Sequence, residues 1–130
     1  MSAKMSAKQE ILHNVFLNPR FQTDNSGSVS LPINVPFKVH NMIIKPVILH
    51  SEDDVDKLLY ITSNLVDGQV IGYGNANNGD GLTSKCATYT FPSGKNINGT
   101  YKFNIFDTKD GSVNVDNIWG IIHIEFWGYA

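Results

Sequence analysis

Four histidines (His13, His40, His50, His123), one cysteine (Cys86), an acidic run and an Asn/Gly-rich loop are where this 130-residue chain holds reactive or ligating groups. The histidines are scattered, with no His-x-His pair. Neither a zinc site nor the clustered histidines of a cupin metal centre is therefore expected. On a strand His123 shares a face with Glu125, but a catalytic pair needs a nucleophile and an oxyanion site as well. No Gly-x-Ser-x-Gly elbow is present, so the two read as interface or surface polar residues. A lone Cys86 allows no internal disulfide and no cysteine-built zinc site, which is compatible with a reducing compartment. Beside Ala87 and Thr88 it reads as a small strand residue.

Asn75-Ala-Asn-Asn-Gly-Asp-Gly81 is the best candidate for a cation or other loop-bound ligand. Asn75, Asn77, Asn78 and Asp80 offer oxygens, and Gly79 and Gly81 permit tight curvature. It holds one carboxylate and no closing glutamate, so a bare binding loop is expected ahead of a weak calcium site. The acids of Ser51-Glu-Asp-Asp-Val-Asp56 suggest paired-carboxylate glycoside chemistry, but consecutive acids more simply make a solvated loop. Asn98-Gly99-Thr100 matches a glycosylation sequon and reads as a turn into a strand. No enzyme activity, metal or other cofactor is expected.

The stronger signal is aromatic. Read at strand period, the closing segment Asn117–Trp127 puts Ile118, Gly120, Ile122, Ile124 and Phe126 on one face. Trp119, Ile121, His123, Glu125 and Trp127 fall on the other. A half-exposed strand alternates apolar with polar, and the second face here is too aromatic to leave bare. Tryptophan is enriched at subunit contacts, so Trp119, Ile121, His123 and Trp127 are the expected subunit interface. The opposite sheet or a terminal arm of the same chain remains an alternative cover.

Strands must position these groups. Runs at Gln9–Leu17, Val29–Leu31, Phe37–Leu49, Leu58–Ser63, Gln69–Gly74, Lys85–Phe91, Thr100–Phe106 and the closing segment are separated by turn signals. Pro32 and Pro36 bracket a loop or an edge position, and Pro46 predicts an edge, bulge or break. Pro92-Ser93-Gly94 is expected to stop one strand, and Asn98-Gly99 to turn into the next. Gln9–Leu17 could begin as a short helix, but no long segment has a convincing helical period, which argues against parallel βαβ units. The fold class expected is all-β: an antiparallel eight-stranded β-sandwich, most simply a single jelly roll. In it the closing strand pairs with Thr100–Phe106.

At 42% apolar and 17% charged residues the chain is too apolar for disorder. A net charge of -2 supplies no field that draws it to nucleic acid. No apolar run approaches the roughly 20 residues of a helical membrane span. The start is a tandem Met-Ser-Ala-Lys without an apolar signal-peptide core. Residues 1–8 are expected to be a flexible tail or a duplicated start, and 9–130 a single domain.

Leu59-Tyr-Ile-Thr-Ser-Asn-Leu-Val-Asp67, Val70-Ile-Gly72, Gly99-Thr-Tyr-Lys-Phe-Asn-Ile-Phe-Asp107, Asp110-Gly111 and Ile121-Ile-His-Ile-Glu-Phe126 occur in that order. In this the chain resembles the single-jelly-roll penton and minor capsid proteins of large double-stranded DNA viruses and virophages. The resemblance covers about the last 70 residues. It implies a virion protein without catalysis that forms a symmetric homo-oligomer, a pentamer ahead of a trimer, beside neighbouring capsid proteins. It also implies an N-terminal arm, here Met1–Phe21, reaching beneath adjacent subunits. The rival expectation is a lectin-like or receptor-binding sandwich using Asn75–Gly81, Tyr73 or exposed tryptophans.

Overall fold

The computed structural model describes residues 9–21, 27–51, 58–75, 87–107 and 118–129. Ten strand segments carry these residues: β1 (Glu10–Leu17), β2 (Arg20–Phe21), β3 (Ser28–Asn34), β4 (Val39–Ile44), β5 (Ile48–Ser51), β6 (Leu58–Ser63), β7 (Gln69–Asn75), β8 (Ala87–Lys95), β9 (Asn98–Asp107) and β10 (Ile118–Tyr129). They form two antiparallel sheets. One runs β1-β10-β4-β8, with β2 and β5 also on β10, and the other runs β3-β9-β6-β7.

Two pairs of segments are single strands interrupted by proline. β1 and β2 lie along one side of β10, and β4 and β5 along the other. Proline has no N–H for the ladder, so the pairing lapses at Pro19 and Pro46. It does not come apart, because the Gly120 N–H donates to the Pro19 carbonyl and the Lys45 N–H to the His123 carbonyl, each at 2.9 Å. With each pair merged, eight strands remain. The first, eighth, third and sixth form one sheet and the second, seventh, fourth and fifth the other. That order is the jelly roll.

The alternation along β10 follows the sequence pattern. Ile118, Gly120, Ile122, Ile124 and Phe126 are buried, while their alternates are half-buried or exposed. Phe21, Phe103 and Phe126 are fully buried and join aliphatic side chains of both sheets in one core. After β6, the Ser63 hydroxyl accepts from the Leu65 N–H at 3.1 Å and caps a 3-10 turn over Asn64–Val66. Asp67 and Gly68, at φ 56° and 78°, then reverse the chain into β7.

Four expectations are corrected. The closing strand does not pair with Thr100–Phe106: β9 lies in the other sheet, and its Phe103 and Ile105 meet β10's side chains through the shared core. The segment from Glu10 to Phe21 is not a free arm, since β1 and β2 are paired with β10 and bury Leu17 and Phe21. Pro92 does not stop its strand. β8 is an edge strand, where a missing N–H breaks no ladder bond, and the register shifts opposite Val39–Asn41 as β8 passes Pro92-Ser93-Gly94. Asn98 and Gly99 are ladder residues opposite Asn34 and Ile33 rather than a turn. The chain changes sheets just before them, where buried Ile97 accepts from the Val35 N–H at 2.9 Å.

Candidate subunit interface

Because β10 is central in its sheet, its outward side chains are flanked on both sides. Register sets Phe16 beside His123, Asn14 beside Glu125 and Leu12 beside Trp127 on the β1 side. On the other side it sets Ile43 beside Glu125, Asn41 beside Trp127, and Ile48 beside Ile121. Of the four side chains expected at a contact, three are partly covered by this chain. The Trp119 ring lies 4.8 Å from the Arg20 guanidinium and 5.0 Å, edge to face, from His50. The His123 ring stacks on Phe16 at 4.2 Å, and its Nε2 lies 2.9 Å from Asn14 Oδ1. The Trp127 indole N–H donates to Glu125 Oε1 at 3.3 Å. Ile121 is left 45% exposed.

The face is therefore covered unevenly. Arg20, His50, Asn14 and Glu125 satisfy the polar and aromatic edges. Phe16 at 68% exposed, Leu12 at 41% and Ile48 at 37% join Ile121 as large apolar side chains in water. Register brings Phe16, Ile121 and Ile48 near one another across β1, β10 and β5, with Leu12 farther along β1 beyond Asn14. Exposed apolar side chains grouped on one face mark an interaction site more often than single ones do. Its charges nearly balance: the described ones are Glu10, Arg20, Lys45 and Glu125, with Lys45 Nζ 3.7 Å from Glu125 Oε1. A second copy of the face meets no strong like-charge repulsion.

Phe16, Leu12 and Ile48 were not among the contact residues singled out from the sequence. The second parity of the first strand, Leu12 and Phe16, was the available signal. It gained meaning only once β1 was seen to flank β10. At the other end of the face, Trp127 lines an open groove of about 220 Å3 with Glu10, Asn41, Ile43 and Thr88. On the opposite sheet Phe106, Tyr60 and Tyr73 form a cross-strand row. Tyr60 is 5.7 Å from Phe106 in a stacked arrangement and 6.0 Å from Tyr73. Burial raises the Tyr89 phenol above its ordinary range.

Asn77, Asn78 and Asp80 lie outside the described residues, as does the Asn75 side chain. Residues 108–111, which include the Asp110-Gly111 pair of the resemblance, do as well. Among the described residues there is no group of three or more His, Cys, Asp or Glu side chains that could hold a metal. No described helix is long and apolar enough to cross a membrane.

No family model and no curated protein matches the chain. Solved structures do. A pilus subunit of Bacillus endospore appendages aligns over 100% of this chain and 97% of its own, at 7% identity and a TM-score of 0.46. The Drosophila NLP core, described in terms of pentamer formation and histone binding, aligns over 84% and 96% at 12% identity and 0.45. The infectious bursal disease virus VP2 particle aligns over 93% of this chain but 33% of VP2, at 15% identity and 0.48. Likeness at this level says nothing about activity or partners, and the fold class rests on strand order and register: this chain is an all-β, jelly-roll sandwich.

Proposed function

We propose that this chain is a structural virion protein, a penton or minor capsid subunit that self-assembles into a symmetric homo-oligomer. The observation that carries the assembly half of this reading is the apolar strip of Leu12, Phe16, Ile48 and Ile121 on the outer face of the β1-β10-β4 sheet. The virion half is supported by the ordered sequence resemblance of residues 59–126 to single-jelly-roll capsid proteins and by the jelly-roll strand order. Residues 9–130 act as one folding unit in this reading. Trp119, Ile121, His123 and Trp127, joined by Phe16, meet a neighbouring subunit. A rigid sandwich offering the same lateral surface to each neighbour closes into a ring, which hides that surface. A pentamer at a capsid vertex is the favoured form, beside other capsid proteins and without direct nucleic-acid contact.

The test is mass-resolved light scattering on the wild type, Ile121→Ser and Trp127→Ala. The expected result is a discrete wild-type oligomer that both variants weaken while their far-UV spectra and melting of the dilute monomer barely change. A pentamer supports the vertex role, and a trimer supports a spike or attachment head. A wild type that stays monomeric at high concentration overturns the reading.

One observation favours a second reading. The Trp127 groove combines an indole with the carboxylate of Glu10, the amide of Asn41 and the hydroxyl of Thr88. Aromatic and polar lining of this kind suits a small polar ligand such as a sugar. Quenching of tryptophan fluorescence by a saccharide panel, abolished in Trp127→Phe, is what this reading expects. No response to any sugar removes it.

A further inference from the structure

Among the described residues the two sheets end on four strands, β1 (continued by the two-residue β2), β8, β3 and β7, and the short β5 is also bonded on one side alone. An exposed edge is a template for another strand, and proteins block it with proline, lysine, bulges or short length. Three of the four edges are blocked in this way. β8 carries Pro92 and Lys95 and a register shift against its neighbour. β3 carries Pro32. β7 carries the extra residue, Ile71, of a register shift against β6. β1 has none of these. Its eight residues hold one unbroken register with β10 and include no proline, glycine, lysine or arginine.

We propose that β1 pairs edge to edge with β1 of a second copy, antiparallel across a twofold axis at Asn14, so that the β1-β10-β4-β8 sheet continues from one subunit into the next. This rests on the reading of the chain as a self-associating subunit and adds a twofold contact distinct from the one that would close a ring.

The register follows from the side chains. Directly opposed residues of an antiparallel pair share a face, so the axis must pass beside a residue rather than between two. An axis at Asn14 sets Leu12 against Phe16 of the second copy on the outer face, and Ile11 against Leu17 on the inner. The two most exposed apolar side chains of β1 then cover each other. An axis at His13 instead sets Phe16 against Glu10 and Leu12 against Asn14. An axis at Val15 sets Phe16 against Asn14. Only the Asn14 axis pairs the exposed Leu12 and Phe16 with each other; on the inner face it sets Ile11 against Leu17 and His13 against Val15. The outward side chains of β1 bear a single charge, that of Glu10, so no like-charge pair opposes the approach. A twofold contact of this kind is self-complementary and closes at two copies.

Charge exchange on the full-length chain tests the pairing. Phe16→Lys alone places an ammonium against Leu12 of the second copy, and Leu12→Glu alone places a carboxylate against Phe16. Each is expected to weaken self-association about tenfold or more, measured by sedimentation, because an unpaired charge in a contact is costly. The double variant brings lysine opposite glutamate across the axis and recovers much of the association. Positions 12 and 16 are too far apart on one strand to pair within a subunit, so only the intermolecular register gives rescue. In a Cys86→Ser background, Asn14→Cys is expected to form a disulfide-linked dimer under mild oxidation, while Thr90→Cys on the β8 edge does not. If Ile121→Ser dissociates the oligomer but neither single charge variant does and Asn14→Cys stays uncrosslinked, the β1 pairing is wrong and the subunit reading stands. A wild type that is monomeric at all concentrations overturns both.

Discussion

Ser63 is the only described polar side chain in the fully buried set, at 0% exposure. A buried hydroxyl costs free energy unless it is hydrogen-bonded. Here its oxygen accepts from the Leu65 N–H, and its extended backbone makes it the cap of the 3-10 turn that lets the chain enter β7. Removing the hydroxyl leaves a buried N–H without its acceptor. Ser63→Ala is therefore expected to lower unfolding free energy by about 0.5–2 kcal/mol, as loss of a helix cap does, while Ser63→Thr keeps most of it. Urea unfolding of the dilute protein measures this, and an unchanged midpoint for Ser63→Ala would show that the turn holds without its cap. The same scale separates the interface residues. Trp119 and His123 each lean on a neighbour of their own chain, Arg20 and Phe16, whereas Ile121 and Phe16 keep large apolar surface in water. Substituting Ile121 should cost the monomer little and the oligomer much.

At the scale of elements, β10 organises its sheet, and its end shows how tightly. A Cβ on Gly128 would fall onto the Phe37 ring and the Lys38 carbonyl, where β10's register with β4 shifts. Backbone cannot yield as a flexible side chain can, so Gly128→Ala is expected to destabilise the fold by about 1–3 kcal/mol through overpacking. Gly120→Ala, whose Cβ would meet Pro19 and Leu49 at 3.5 and 3.6 Å, is expected to be tolerated. Parallel denaturant curves for the two variants check the contrast, and equal effects would refute it. The alternation in β10 was legible in the sequence because a strand of period 2 with one buried face writes its burial directly into residue type. Its partner was not. Thr100–Phe106 is the preceding strand and carries a matching apolar face, yet the chain crosses to the other sheet between Asp107 and Ile118. Two strands whose apolar faces meet through a core look the same in sequence as two strands paired side by side. Pro92 and Asn98-Gly99 misled for a related reason: turn chemistry is local, but whether a proline or a glycine ends a strand depends on whether that strand has a neighbour to bond. The candidate contact was half legible. Trp119, Ile121, His123 and Trp127 could be read off one strand, while Leu12, Phe16 and Ile48 needed the register of three.

For the whole molecule, the sandwich buries one core and leaves one sheet face with Phe16, Leu12, Ile48 and Ile121 in water. If a second copy covers that surface, association and folding are linked, because the unfolded chain cannot make the contact. Stability then depends on concentration by mass action. The melting temperature is expected to rise with each tenfold increase in protein concentration, on the order of 3 °C for a chain of this size. Ile121→Ser and Phe16→Lys should flatten that slope without moving the melting temperature measured in dilute solution, since neither side chain belongs to the buried core. Gly128→Ala should do the reverse, lowering the melting temperature at every concentration. Scanning calorimetry across a hundredfold concentration range reads all four proteins. A wild-type melting temperature that does not move with concentration would place the exposed strip outside any contact between copies. The Trp127 groove would then be left as the surface best suited to a ligand.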